Sequence, residues 1–433
     1  MAIAAPNTGT SAASATGQSY GAPLATVTTL FFMWGFLTCL NDILVPHLKS
    51  IFDLNYAKVM LIQFAFFGAY FIFSIPSAKI IDWMGYQRSM VAGLLTMGLG
   101  AFLFVPAASV PSFPLFLGAL IVLAAGITCL QVAANPYVTV LGNPETASSR
   151  LNLTQAFNSL GTFLAPFFGG LLILSAAPMT MDQIRALAPD ALQAYRLHEA
   201  ATVKTPYVGL GIALVVLAVA IGSFKLPKIE HAQHKVGEKV NDSIWKHPNL
   251  IFGAIGIFVY VGAEVSIGSF LVNYFGQPEI GGLTEKVAAS FVAFYWGGAM
   301  VGRFIGSALL QKMKTGGLLA ICAVCAAALV AISMLTSGHI AMYSIILVGF
   351  FNSIMFPSIF TLGVAELGPL TGDGSGVMIM AIVGGAILPV AQGWIADHIG
   401  IHHAFFLPVI CYLYILFFAL SGSKPNSERH AIA

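Results

Sequence analysis

A carboxylate inside a long apolar run is the first group in this sequence that could do chemistry. Asp42 follows Asn41 within residues 24–45, whose other members could almost all lie in lipid. A charge at the bilayer centre costs at least about 2.5–3.5 kcal/mol on insertion scales, so it needs a compensating partner or a function. Because a bound cation would neutralise the carboxylate, Asn41 and Asp42 favour ion-coupled transport. A hydrogen bond to a neighbouring helix is the structural alternative.

Amides and aromatic rings within the apolar runs form a second set of candidates. A sugar presents hydroxyls around a C–H face, so its site needs amides or carboxylates at the rim and an aromatic plane beneath. The candidate groups are Gln63, Gln131, Asn135, Gln155, Asn158, Asn273 and Asn352, with Trp34, Tyr295 and Trp296 as possible planes. A lone amide in a membrane helix can instead form an interhelical hydrogen bond worth about 0.6 kcal/mol. Both interpretations stay open for each residue.

The elements that must position these groups are membrane helices. Of the 433 residues, 58% are hydrophobic and 8% are charged, against roughly 25% charged in soluble domains. This composition predicts an all-α integral membrane protein with the lipid bilayer as a partner. A net charge of +2 without a basic face argues against a nucleic-acid partner. All five cysteines fall in apolar runs, so neither a disulfide framework nor a metal site is expected.

Twelve candidate spans can be counted, because a span needs about 20 mostly apolar residues. They begin near residues 25, 60, 90, 113, 150, 207, 250, 286, 317, 338, 373 and 402. Thirteen of the nineteen Lys and Arg residues lie in the two tails and the even-numbered loops, which predicts that both termini are cytoplasmic. The expected organisation is a disordered tail (1–23), a six-helix half (24–226), a cytoplasmic linker (227–249), a second six-helix half (250–422) and a C-terminal tail (423–433).

The two halves are predicted to be duplicates of each other. Residues 136–142 and 357–363 both read P-x-x-x-x-L-G at an offset of 221 residues, and a second pair of prolines stands at nearly the same offset. Parallel repeats of this kind place a substrate site near the bilayer midplane, between the halves. At almost this offset Asp42 corresponds to Glu264. The two acids are therefore expected to flank one cavity, with Glu264 as a further ion-coupling residue.

Four motifs in the first half carry a family resemblance. They are Asn41-Asp42-x-Leu-Val-Pro46, Gln63-Phe-Ala-Phe-Phe-Gly-Ala-Tyr70, Ala133-Ala-Asn-Pro-Tyr-Val-Thr-Val-Leu-Gly142 and Asn152-Leu-Thr-Gln-Ala-Phe-Asn-Ser-Leu-Gly161. With them the sequence resembles the fucose, glucose and galactose porters of the major facilitator superfamily. The stretch from Tyr260 to Phe270 is more similar to the glucose/galactose branch. Asp82 and Arg88 resemble part of the superfamily's cytoplasmic loop, which implies a role in the conformational gate.

The resemblance implies a symporter that imports a hexose across the inner membrane by alternating access, as a monomer and without a cofactor. D-glucose and D-galactose are the expected sugars. L-fucose or an N-acetylhexosamine remains an alternative, because the same amides could bind either. The coupling ion is open between Na+ and H+, with a preference for sodium because the glucose/galactose branch includes sodium-coupled members.

One departure from the family bears on mechanism. In the fucose-porter branch, the fourth span carries a glutamate just before the Ala-Ala-Asn-Pro run, and this glutamate acts beside the first-span aspartate. Here that position is Gln131. An amide can hydrogen-bond a sugar but cannot exchange a proton. A coupling mechanism that uses both the first-span aspartate and the fourth-span glutamate therefore does not apply unchanged to this sequence.

Two other classes of protein are disfavoured. A membrane-embedded enzyme acting on lipid or sugar-lipid needs a nucleophile with its base, or a metal set. None of the ten histidines pairs with Ser, Cys or an acid in that way inside the predicted spans. A non-transporting sugar receptor is disfavoured because nothing in the sequence resembles an appended signalling domain.

Overall fold

The computed structural model describes residues 20–52, 56–110, 112–172, 183, 186–227 and 242–425. Every regular element among these residues is helical, which confirms the predicted all-α class. Nine helical stretches of this described part are long and apolar enough to cross a membrane, and one of them, Phe64–Ser109, contains two spans. Large apolar side chains such as Phe71, Ile72 and Val219 are exposed on the outside of the bundle, as expected where lipid replaces water.

We number twelve spans in chain order. The first six are Gly21–Phe52, the two spans within Tyr56–Ser109, Phe113–Val140, Ala147–Leu172 and Lys204–Ser223. The last six are Pro248–Gly276, Glu285–Leu309, Thr315–Leu335, Gly338–Gly363, Gly368–Ile399 and Ile401–Gly422. A further helix, Pro189–Thr202, connects the fifth span to the sixth. The spans begin close to the predicted starts. The proposed boundaries of the halves, linker and tails stay predictions, and residues 1–19, 228–241 and 426–433 lie outside the described part.

Gly85 separates the second span from the third. Its φ of 79° and ψ of 168° interrupt the helix Tyr56–Ser109, and only glycine adopts such a positive φ at little steric cost. The chain therefore turns between Asp82 and Arg88 without a long loop.

Two prolines of the repeated motif leave one helix carbonyl each without its usual donor. A proline has no N–H group, so it cannot bond the carbonyl four residues before it. Pro136 thereby frees the carbonyl of Val132, and the fourth span remains one helix. Pro357 frees the carbonyl of Ser353, and here the tenth span is interrupted between Gly338–Asn352 and Met355–Gly363.

The first six and last six spans meet at the end of the bundle that carries Lys79, Arg150 and Lys312, which we call the basic end. The hydroxyls of Ser148 and Thr361 lie 2.6 Å apart. Between the fifth and eighth spans, Ser149 Oγ donates to the Ser307 carbonyl at 2.7 Å and Ser307 Oγ donates to the Ser149 carbonyl at 3.1 Å. Ser375 Oγ donates to the freed carbonyl of Val132 at 2.9 Å. The bundle is thus held closed at its basic end.

Candidate functional site

Glu264 lies in the middle of the seventh span, among tyrosine hydroxyls. Tyr260, one turn earlier, places its hydroxyl 2.9 Å from Glu264 Oε1 and also 2.9 Å from the Asn352 carbonyl. Tyr295 Oη lies 3.4 Å from the Glu264 backbone carbonyl. The Glu264 side chain is 13% exposed. The carboxylate thus accepts a hydrogen bond from the neutral Tyr260 hydroxyl and still has access to the exterior of the protein.

Asn352 connects this acid to two further spans. Its Nδ2 donates to Tyr295 Oη at 2.9 Å, and Tyr412 Oη donates to its Oδ1 at 2.8 Å. The Asn352 carbonyl can accept a hydrogen bond from the Tyr260 hydroxyl because the helix ends at Asn352. The last carbonyls of a helix have no partner inside it. Both ends of the Asn352 amide are bonded within the protein. This favours the structural alternative for Asn352.

Arg303 of the eighth span lies beside the same acid. Its Nη2 is 4.0 Å from Glu264 Oε1, and its Nε donates to the freed Ser353 carbonyl at 3.3 Å. Nη1 donates to Ser159 Oγ, which belongs to the fifth span. One guanidinium therefore contacts both sets of six spans.

A second polar cluster lies in the first six spans. Gln131 Nε2 donates to Tyr70 Oη at 2.7 Å, while Gln131 Oε1 has no hydrogen-bond partner among the described residues. Gln155 Nε2 lies 3.5 Å from Asn135 Oδ1, and Asn135 Nδ2 is likewise without a partner in the part of the chain that the structure describes. All four side chains are buried. Burying an unpaired amide atom costs about 1–3 kcal/mol, so these atoms are suited to receive a ligand.

The two clusters are joined through the fifth span. Ser159 follows Gln155 by one turn, and its Oγ lies 3.1 Å from the Gln155 carbonyl. The same Oγ accepts from Arg303 Nη1. A polar path therefore runs from the amides of the fourth and fifth spans, through Arg303, to Glu264. This path brings together five of the predicted residues: Asn135, Gln155, Glu264, Tyr295 and Asn352. Gln131 stands one helical turn before Asn135 and contacts Tyr70.

Trp296 provides an exposed ring next to the path. It is 41% exposed, and it meets the Tyr295 ring edge-on at a centroid distance of 5.1 Å. A Cβ added at Gly268 would lie 2.9 Å from Trp296 Cζ2, so the absence of a side chain at Gly268 lets the indole lie against the seventh span. The Trp296 ring therefore lies beside the seventh span one turn beyond Glu264, and its role as a plane for a sugar stays a prediction.

Other predicted residues are placed differently. Asn158 Nδ2 donates to the Phe31 carbonyl of the first span at 2.9 Å, which favours its reading as an interhelical hydrogen bond. Asn273 is exposed, more than two turns beyond Glu264. The side chains of Asn41, Asp42 and Gln63 lie outside the described residues.

The predicted gate residues lie at the basic end. Lys79 Nζ is 3.5 Å from Asp82 Oδ2 and 2.7 Å from Asp373 Oδ1, at the start of the helix Thr371–Met380. This ion pair joins the second span to the eleventh. Arg88 is exposed, and its place in a gate stays a prediction.

Three residues of the site were not predicted from the sequence. Tyr260 and Tyr412 have ordinary sequence contexts for membrane aromatics, although Tyr260 stands four residues before Glu264 and hence on the same helix face. Arg303 stands six positions before Leu309, near the end of its span, where the sequence favours a side chain that extends to the membrane surface. Its side chain extends inward instead. Among the described residues, no group of three or more His, Cys, Asp or Glu side chains could hold a metal.

Comparison with known proteins places this arrangement in a family. The profile of the Major Facilitator Superfamily matches residues 24–382. The chain belongs to this superfamily. Like the rest of the superfamily it is a transporter with a twelve-span fold, and the enzyme alternative is set aside.

Individual members of the superfamily are similar over nearly the whole chain. The glucose/galactose transporter of Brucella abortus biovar 1 (strain 9-941) is 54% identical over 407 residues, covering 94% of this chain and 95% of that protein. The L-fucose-proton symporter of Escherichia coli (strain K12) is 36% identical over 414 residues, covering 94% of each. A crystal structure of FucP in the outward conformation matches with a TM-score of 0.87 and 34% identity, covering 94% of this chain and all of that one.

Proposed function

We propose that this protein is a proton-coupled symporter that imports D-glucose and D-galactose by alternating access. The proposal is supported by the polar path that runs from the buried amides of Asn135 and Gln155, through Ser159 and Arg303, to the buried acid Glu264. A sugar needs amides that can bond its hydroxyls, and a coupling cation needs an acid such as Glu264. The glucose/galactose relative supports the choice of sugar.

The amide cluster is proposed to bind the sugar. Gln131 Oε1 can accept from a sugar hydroxyl, and Asn135 Nδ2 can donate to one, because these atoms lack partners among the described residues. Gln155 would complete the rim, and Trp296 would supply the plane beneath the C–H face. Gln63 remains part of the proposed site on its sequence motif alone.

The acids are proposed to bind the coupling cation. The carboxylates of Asp42 and Glu264 would each need neutralisation before the conformational change exposes them to a low-dielectric environment. Asn41 would assist Asp42 in binding the cation. The preference for sodium drawn from the sequence finds no support among these relatives, whereas the L-fucose-proton symporter supports a proton. We therefore propose H+ as the coupling ion.

The basic end is proposed to face the cytoplasm of a bacterial inner membrane. Lys and Arg are enriched in cytoplasmic loops, and this end carries Lys79, Arg150 and Lys312. The contacts that close the basic end would then make this conformation outward-facing, as in the FucP crystal structure. Both termini would be cytoplasmic, and a monomer would suffice for transport.

The test is uptake of labelled D-glucose into proteoliposomes, with an inward proton gradient or an inward sodium gradient imposed separately. The Asp42→Asn variant is assayed beside the wild type. We expect accumulation under the proton gradient alone, and its loss in Asp42→Asn. Accumulation under sodium alone would overturn the proton assignment, and equilibration without accumulation under either gradient would indicate a facilitator.

L-fucose is the second candidate substrate, because the E. coli symporter is similar over 94% of this chain. Competition by unlabelled D-galactose, L-fucose and N-acetylglucosamine against labelled D-glucose ranks the sugars. We expect D-galactose to compete at concentrations close to those of D-glucose. Stronger competition by L-fucose or the N-acetylated sugar would overturn the substrate assignment.

A further inference from the structure

Arg303 contacts three elements with one side chain. Nε donates to the Ser353 carbonyl of the tenth span at 3.3 Å, and Nη1 donates to Ser159 Oγ of the fifth span. Nη2 lies 4.0 Å from Glu264 Oε1 of the seventh span, and the side chain is only 15% exposed. The guanidinium is thus shared between a hydroxyl of the first six spans and a carboxylate of the last six.

These contacts behave differently when the two sets of spans rock against each other. Glu264 and Ser353 belong to the same six spans as Arg303, so they would move with it. Ser159 belongs to the other six. The Asn152 amide, which donates to the Arg303 carbonyl at 2.6 Å, also lies on the fifth span. Opening the basic end must separate the fifth span from the eighth, and it therefore removes Ser159 from Arg303.

Among the residues whose side chains the structure describes, a guanidinium that loses Ser159 has one charged acceptor close by, Glu264. A direct N–H···O hydrogen bond between a guanidinium and a carboxylate measures about 2.7–2.9 Å, so a movement of roughly 1 Å would close the pair with Glu264. The other titratable groups around Glu264 in the described part of the chain are neutral tyrosines. Tyr260 bonds the carboxylate, the Tyr295 hydroxyl lies 3.4 Å from the Glu264 backbone carbonyl, and Tyr412 is bonded to Asn352 in the same cluster. Arg keeps its charge in protein interiors, and a buried charge requires a partner. The ion pair is the favoured arrangement once the basic end is open.

We propose that Arg303 is a positioning residue that exchanges Ser159 for Glu264 when the basic end opens, and thereby expels the coupling cation from Glu264. The inference rests on the proposed function through the role of Glu264 as a cation site. A proton bound to the carboxylate leaves for water at the open basic end, and the ion pair that remains is neutral. When the basic end closes, Ser159 draws Arg303 away and the carboxylate can bind the next proton.

The experiment compares two assays in proteoliposomes for the wild type, Arg303→Met, Arg303→Lys and Ser159→Ala. Counterflow exchanges labelled for unlabelled D-glucose without net cation movement, whereas accumulation under an inward proton gradient requires cation release. We expect Arg303→Met to lose accumulation at least about tenfold more than counterflow, and Arg303→Lys to recover part of it. Lys312→Met, which removes an exposed cation at the basic end, should match the wild type in both assays.

Ser159→Ala should have the opposite effect. Without its hydroxyl, Arg303 is free to pair with Glu264 while the basic end is closed, so a proton has to compete with it. We expect the external proton concentration for half-maximal uptake to rise by at least about threefold, with accumulation recovered at lower external pH. A purely structural link between the fifth and eighth spans would not shift this pH profile.

The outcomes separate the two claims. If the wild type fails to accumulate D-glucose under any cation gradient, the proposed function itself is wrong. If the wild type accumulates D-glucose and Arg303→Met does so equally well, only the role of Arg303 is wrong. Proportional losses in both assays, together with an unshifted pH profile in Ser159→Ala, would also overturn the exchange and leave Arg303 as a structural link.

Discussion

An amide donates to a buried tyrosine at repeat-related positions of the fourth and tenth spans. Gln131 and Asn352 stand 221 residues apart, which is the offset of the repeated proline motif. Gln131 donates to Tyr70 of the second span at 2.7 Å, and Asn352 donates to Tyr295 of the eighth span at 2.9 Å. Since the second span corresponds to the eighth in a parallel repeat, a similar contact is made twice, with Tyr70 and Tyr295 standing 225 residues apart and thus one helical turn from the offset of the amides.

The two amides differ at their oxygens. Asn352 Oδ1 accepts from Tyr412 of the twelfth span, whereas Gln131 Oε1 is unpaired in the described part of the chain. One copy of the pair is completed by the protein and the other is left with a free acceptor. The two amides share the repeat offset and a tyrosine partner, and they differ in whether the protein also bonds the amide oxygen.

The stability of the protein should depend more on Asn352, whose amide is fully bonded, than on Gln131. Asn352→Leu leaves the hydroxyls of Tyr295 and Tyr412 buried without the amide. Each unpaired group costs about 1–3 kcal/mol, so we expect the largest loss of stability among these variants, about 3 kcal/mol. Thermal unfolding of the purified protein measures it. Asn273→Leu, at an exposed position of the seventh span, should change stability little, and equal losses in both variants would contradict the network.

A close backbone contact tests the same region without removing a polar side chain. A Cβ at Gly349 would lie 2.1 Å from the Tyr295 carbonyl, so Gly349→Ala must push the tenth span from the eighth. We expect a loss of about 2 kcal/mol from this overpacking. Gly297→Ala is the matched control, because its Cβ would meet nothing within 4 Å. Comparable unfolding temperatures for the two variants would show that these spans pack more loosely than this close contact requires.

Substitution of Gln131, whose amide oxygen has no partner in the described part of the chain, should affect sugar binding more than stability. Gln131→Leu removes the free acceptor proposed to bind a sugar hydroxyl. We expect the KM for D-glucose to rise about tenfold, which corresponds to about 1.4 kcal/mol, with a smaller change in unfolding temperature than in Asn352→Leu. Counterflow at varied D-glucose concentration measures this. An unchanged KM with a large loss of stability would reverse the assignment of the two copies.

The gate contact at the basic end should have the smallest effect. Lys79 is 61% exposed where it pairs with Asp373, and exposed ion pairs contribute about 0–1 kcal/mol. Asp373→Asn removes a contact that holds the basic end closed, so it should favour opening of this end. The D-glucose KM should therefore change by no more than about fivefold. The effect should diminish at 1 M salt, because salt screens exposed charges. A salt-independent change would point to a packing effect instead.

Much of the fold could be predicted from the sequence, because the bilayer imposes a simple rule of length and polarity on each span. The proline motif also predicted correspondence between spans, and the same offset relates Gln131 to Asn352. The interruption of the tenth span was not predicted. The interruption depends on which side chains donate hydrogen bonds to the freed carbonyls. The Ser353 carbonyl accepts from Arg303, which belongs to another span.

The site could be predicted only in part. Residue type and motif identified Asn135, Gln155 and Glu264, which the structure joins through one polar path, and Gln131, which contacts Tyr70 one turn away. Arg303 was missed because position along a span does not reveal whether a long side chain extends outward to the membrane surface or inward. Tyr412 was missed because its hydroxyl acts through Asn352, sixty residues earlier in the chain.

The proposed mechanism requires a proton to enter with the sugar. The most direct measurement follows the external pH of a weakly buffered suspension of proteoliposomes while labelled D-glucose enters. We expect alkalinisation that begins with sugar addition, scales with the sugar taken up and disappears in Asp42→Asn. Entry of D-glucose at the same rate without proton movement would contradict it.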